Sequence, residues 1–111
     1  MTGIIYDDLY RYVGNRKFSV LLRYIFFTAG YRYVFLLRKT QYSKTLFSKV
    51  LWKFLLRQCM LKTGIQIPSE TKIDRGFRIV HFGNIVINPA TVIGKNFNIS
   101  NGVTIGNSEG V

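Results

Sequence analysis

One histidine, one cysteine and five carboxylates are the groups of this 111-residue chain from which a metal site, a thiol nucleophile or acid–base chemistry near neutral pH would most readily be built. An imidazole titrates near neutral pH, so His81 is the side chain best suited to take a proton from a substrate and return it. Taken without its surroundings, however, a lone histidine reads as a corner residue with a satisfied hydrogen bond. Cys59 cannot form an internal disulfide, and one Cys with one His makes no zinc ligand set, so neither a disulfide scaffold nor a structural metal is expected. Cys59 reads instead as a small buried hydrophobe. Asn98-Ile-Ser100 fits a glycosylation sequon, which a cytoplasmic protein would not use.

The elements that must hold His81 fall into two unlike halves. The chain carries a net charge of +11, is 48% hydrophobic and contains 17 aromatic residues, which excludes a disordered tail. Its length excludes a large multidomain enzyme. Residues 1–63 hold twelve Lys and Arg against Asp7 and Asp8, a net of +10, and 14 of the 17 aromatics. Residues 64–111 hold four cations against three carboxylates, a net of +1, with both prolines and seven of the ten glycines. We therefore divide the chain into a basic helical region, 1–63, and a second unit, 64–111.

In the first region, helical spacing of apolar residues predicts one helix over Lys17–Arg38, with a break at Gly30, and a second over Thr45–Leu61. In the second helix Lys49, Lys53 and Arg57 form a basic stripe, opposed by an apolar face of Phe47, Val50, Leu51, Phe54 and Leu55. That face suits packing on a neighbouring helix or subunit. It equally suits weak contact with an anionic membrane surface, Trp52 and Phe54 reaching the acyl boundary. The longest uncharged stretch of this region, Tyr24 to Tyr31, is far short of a span. Met1–Tyr12 lacks the features of a secretory signal. The expected location is the cytoplasm, in part at the inner face of the membrane. Nucleic acid is not an expected partner, because no zinc or RNA-binding motif is present and the cations are interleaved with bulky apolar residues.

From Ile67 an aliphatic residue returns every six positions: Ile67, Ile73, Ile79, Ile85, then, after a shift of two, Ile87, Ile93, Ile99, Ile105 and Val111. A period of six is neither the 3.6 of a helix nor the alternation of a strand; it belongs to a chain that turns a corner every six residues and stacks its anchors coil on coil. Asp74, Asn88, Gly94, Ser100 and Gly106, each directly after an anchor, suit sharp bends. This pattern resembles the left-handed parallel β-helix of the hexapeptide-repeat acyltransferases, and it is the resemblance that supplies the handedness. The stretch from Gly64 to Ile87, with Val92-Ile-Gly-Lys-Asn and Gly102-Val-Thr-Ile-Gly106, is similar to serine acetyltransferases and their relatives in polysaccharide clusters. The expected fold class is thus α+β, helices before about two and a half coils, incomplete at the C-terminus.

The resemblance implies that His81, just after the Ile79 anchor and before Gly83, is the general base of acetyl transfer from acetyl-CoA to a hydroxyl, in a homotrimer with sites between neighbouring prisms. It implies no metal. Arg75, Arg78 and Lys95 are candidates to meet coenzyme A phosphates, solvated cations at coil edges being the alternative. Serine acetyltransferases carry a carboxylate fifteen residues before the base, and this chain has Gln66 there. They also place an aspartate directly before the histidine, where this chain has Val80. A zwitterionic acceptor loses its anchor from these changes and a neutral sugar hydroxyl loses less, so the expected acceptor is a sugar or polysaccharide precursor, with serine the alternative. The family continues past position 111 with the coils that cradle coenzyme A, so impaired activity is expected. A non-catalytic fragment that associates with membranes or with a full-length paralogue is the alternative of another class.

Overall fold

The computed structural model describes residues 2–106, so the expected anchor Val111 lies outside the described residues. Four helices come first: α1 Thr2–Val13, α2 Phe18–Phe27, α3 Ala29–Gln41 and α4 Leu46–Thr63. Seven short strands complete the described chain: β1 Ile65–Gln66, β2 Lys72–Ile73, β3 Arg78–Ile79, β4 Ile85–Ile87, β5 Val92–Ile93, β6 Asn98–Ile99 and β7 Thr104–Ile105. The class is α+β, helices before strands.

The helices differ from expectation in three places. Helix α1 was not expected; Ile5 and Leu9, four apart, bury one face of it against Leu21 and Tyr31. The break in the long helix falls at Thr28, not Gly30, and α2 and α3 meet there at 109°. Gly30 lies inside α3, where its missing side chain permits close packing: a Cβ there would stand 3.0 Å from the Ile79 carbonyl oxygen. In α4, which Thr45 caps by accepting from the Ser48 amide, Phe47, Val50, Leu51, Phe54 and Leu55 are exposed. Leu56, Cys59 and Thr63 are buried in their place, and Trp52 meets Phe35 of α3 edge-on. Two apolar faces share this helix, and α3 can cover only one.

The strands form three parallel ladders, β1-β4-β7, β2-β5 and β3-β6, so each strand pairs with the one three further on. Partners are 20 residues apart in the first turn, as in Ile73↔Ile93 and Ile79↔Ile99, and 18 apart between β4 and β7, as in Ile87↔Ile105. Ile67, Ile73, Ile79, Ile85, Ile87, Ile93 and Ile99 are buried, as the six-residue period requires, while Ile105 is half-buried. Each such burial contributes about 1.5–3 kcal/mol. The two extra residues of the first turn fall between the Ile79 and Ile87 anchors, in the corner that carries His81. That is why β4 alone presents two inward residues, Ile85 and Ile87, with Val86 outward.

Helices and coil share one core. Tyr33, Val34 and Leu37 of α3 and Leu56 and Cys59 of α4 pack with the isoleucine anchors and Phe77. The helices also supply hydrogen-bond partners to the first turn of the coil. Backbone groups alternate in direction along a strand, and those of the first turn that do not reach the second would otherwise be orphaned. The Arg78 and Val80 amides donate to the Phe97 and Ile99 carbonyls of the next turn, whereas the Ile79 amide between them donates to the Tyr12 hydroxyl at 2.8 Å. The Tyr33 hydroxyl accepts from the Ile67 amide and donates to the Ile67 carbonyl. Gln41 donates to the carbonyls of Ser69 and Thr71. Helices α1 and α3 therefore close the open edge, the role that a capping element plays in a solenoid.

Candidate functional site

His81 leaves the coil two residues after the buried Ile79, in the β3–β4 corner, and its side chain is exposed. It borders a cavity of about 510 Å³ between that corner and the helices, lined also by Tyr12 of α1, Tyr24 and Phe27 of α2, and Arg78 and Phe82. No side-chain hydrogen bond from another residue engages His81 among the described residues, so its exposed ring faces solvent and the cavity. Its position is nonetheless constrained from two sides. The Tyr12 hydroxyl holds the Ile79 amide, and Gly30 of α3 sits against the same residue.

The cavity lining contains one cation, Arg78, and no carboxylate. The Arg78 guanidinium lies over the Tyr12 ring, 5.8 Å from its centre, and its Nε is buried without a hydrogen-bond partner among the described residues. Burial pushes the Tyr12 phenol well up from its ordinary value, so it stays uncharged far into the alkaline range. Gln66 and Val80 are both exposed, and neither is an acid that could orient the imidazole.

The three cations considered for coenzyme A phosphates do not converge. Only Arg78 lines the cavity. Arg75 is exposed, with its Nη1 4.0 Å from Asp7 Oδ2, and Lys95 is exposed on the second turn of the coil. Cys59 is buried between α4 and α3, and that burial pushes its thiol up. No cluster of three His, Cys, Asp or Glu able to hold a metal ion lies among the described residues. Asn98 of the sequon is occupied, its Oδ1 accepting from Arg11.

Behind the site lies a constellation that sequence reasoning missed. Asp8 of α1 and Arg38 of α3 form a wholly buried ion pair, Nε to Oδ2 2.8 Å, with both side chains at 0% exposure. Asp8 Oδ1 also accepts from the amides of Gly76 and Phe77, each at 2.9 Å. Arg38 donates further to the carbonyls of Ile73 and Asp74. Burial pushes the Asp8 carboxyl up, while the Arg38 guanidinium and then the Phe77 and Gly76 amides pull it back. The pair ties both helices to the corner between β2 and β3. Gly76 makes that corner possible, since its φ is +81° and a Cβ would collide with the Asn96 side chain. In sequence Asp8 and Arg38 are two charges thirty residues apart, each beside a second charge of its own sign, Asp7 and Lys39, and nothing local marks them for burial.

No family model, curated protein or solved structure matches this chain.

Proposed function

We propose that this chain belongs to an acetyl-CoA-dependent O-acetyltransferase, that its coil is the left-handed parallel β-helix of the hexapeptide-repeat enzymes, and that His81 is the general base. The observation that carries the reading is the placement of the one histidine: exposed, with no side-chain partner among the described residues, just past a buried anchor, at the rim of a cavity large enough for a monosaccharide. His81 takes the proton of the acceptor hydroxyl as its oxygen attacks the thioester carbonyl. The C–S bond then breaks, and the imidazolium returns the proton to the departing coenzyme A thiolate. Arg78 supplies a guanidinium for an anionic group of donor or acceptor.

A cavity without a carboxylate offers no partner to an ammonium group, which favours a neutral or anionic sugar hydroxyl over serine. The active form is a homotrimer that completes each site with a neighbouring coil, whose outward Val80, Val86 and Val92 provide apolar contact surface. The test is thiol release from acetyl-CoA with sugar acceptors and with serine, for the chain and for His81→Ala. Weak turnover with a sugar, abolished by His81→Ala, is expected. Turnover unchanged by His81→Ala overturns the assignment of the base, a preference for serine overturns the acceptor, and no turnover with any acceptor overturns the enzymatic reading in favour of a non-catalytic scaffold.

A further inference from the structure

We infer that the outer faces of α2 and α4 form a docking surface for an anionic phospholipid bilayer, on which the protein lies without crossing it. Successive helical residues step by about 100°, which sets Leu46, Val50, Phe54 and Leu61 of α4 on the side opposite Leu56, Cys59 and Thr63, the residues packed on the rest of the chain. The outer side is strongly exposed: Leu46 80%, Phe47 81%, Phe54 57% and Leu61 68%. On α2, Phe18, Leu22 and Phe26, each four apart, form a second exposed apolar stripe that ends at Phe27, 82% exposed. Phe26 of α2 and Leu55 of α4 border the same apolar groove of about 480 Å³. An apolar surface of this extent needs a cover.

Charge decides what the cover is. No carboxylate occurs from Leu9 to Ser69, and in that interval Lys17, Arg23, Lys44, Lys49, Lys53, Arg57 and Lys62 form no salt bridge among the described residues. Lys49, Lys53 and Arg57 flank one side of the outer face of α4 and Lys62 the other. A second copy of this chain, docked face to face, would bring the same cations together with no counter-charge. The phosphodiester backbone of a nucleic acid would neutralise them but leave Leu46, Val50 and Leu61 in water. A bilayer surface with anionic headgroups satisfies both, the cations at headgroup level and the leucine and phenylalanine side chains below it. Among the described residues no single helix is long and apolar enough to cross a membrane, and α2 and α3, which together have the length, are bent by 109°.

Co-sedimentation of the chain with vesicles of phosphatidylcholine alone, and of phosphatidylcholine mixed with phosphatidylglycerol, tests the inference at low and high salt. Binding to the mixed vesicles only, lost at high salt, is expected. Changing Lys49, Lys53 and Arg57 to Gln should weaken binding on the order of a hundredfold, about fivefold for each cation. Phe47→Ser and Phe54→Ser should each weaken it about tenfold. All these side chains lie on the outer part of α4, so the variants should melt as the parent does. Absence of binding to mixed vesicles at low salt overturns the inference. So does self-association that Phe47→Ser abolishes, which makes a second copy the occupant, or salt-sensitive retention on an oligonucleotide that Phe47→Ser and Phe54→Ser leave unchanged. Equal binding to neutral vesicles at high salt overturns the surface geometry and means insertion. None of these readouts involves His81, so they are independent of the catalytic reading.

Discussion

Replacing Asp8 with Leu removes the acceptor of three donors at once: the Arg38 guanidinium and the Gly76 and Phe77 amides. Breaking a buried pair from one side costs about 3–5 kcal/mol, because the remaining charge is left without a partner. Against a total stability of about 5–15 kcal/mol, that is a large fraction. Since a domain of this size loses about 4–8 °C of Tm per kcal/mol, the melting temperature should fall by more than about 12 °C. The double variant Asp8→Leu/Arg38→Met is the discriminating measurement. An isolated buried pair exchanged for apolar residues is often neutral or stabilising. Here the exchange also orphans two amides and the carbonyls of Ile73 and Asp74, at about 1–3 kcal/mol for each group that water does not reach. The double variant should therefore remain destabilised, though less than the two single losses together. Urea unfolding monitored by circular dichroism measures both single variants and the double. A double variant within about 1 kcal/mol of the parent would refute the reasoning, since the pair would then be a replaceable ion pair and not the cap of the coil edge.

Two further outcomes are expected. Ile93→Asp or Ile99→Asp places an unpaired carboxylate inside the coil and should cost several kcal/mol, whereas Lys95→Asp, exposed between them, should leave thermal melting nearly unchanged; equal melting of all three would remove the stacked-anchor arrangement. Burial pushes the phenols of Tyr12, Tyr31 and Tyr33 well above their ordinary value of about 10. A folded-state pKa above the unfolded one gives stability that is complete below pH about 10 and is lost as pH rises beyond it. Phenolate absorbance and circular dichroism recorded together should show these three of the seven tyrosines ionising only as the fold is lost; ionisation of all seven with the fold intact would contradict their placement.

The sequence alone specified the stacking of the coil. Anchors with a period of six suit a chain that turns a corner every six residues, and Ile67 through Ile99 are buried accordingly. It also determined the two-residue shift and the start of α4, which local residue types dictate: an inserted pair must bulge at a corner, and the Thr45 hydroxyl reaches only the first free amides of the helix it precedes. The helical half was legible as helices and not as an arrangement. Apolar residues surround α4, so its period could not say which side α3 would cover, and the buried stripe proved to be Leu56, Cys59 and Thr63 rather than the face that includes Phe47 and Phe54. The burial of Gly30 depended on the close approach of α3 to Ile79. The place of His81, in the corner just past the Ile79 anchor, was legible from the six-residue spacing. Asp8, Arg38, Tyr12 and Tyr33 were not, because each acts on a backbone group more than thirty residues away. A repeat encodes its own stacking in local spacing. The closure of its first edge is a long-range match of side chains to unpaired amides and carbonyls, and only the tertiary structure decides which side chains those are.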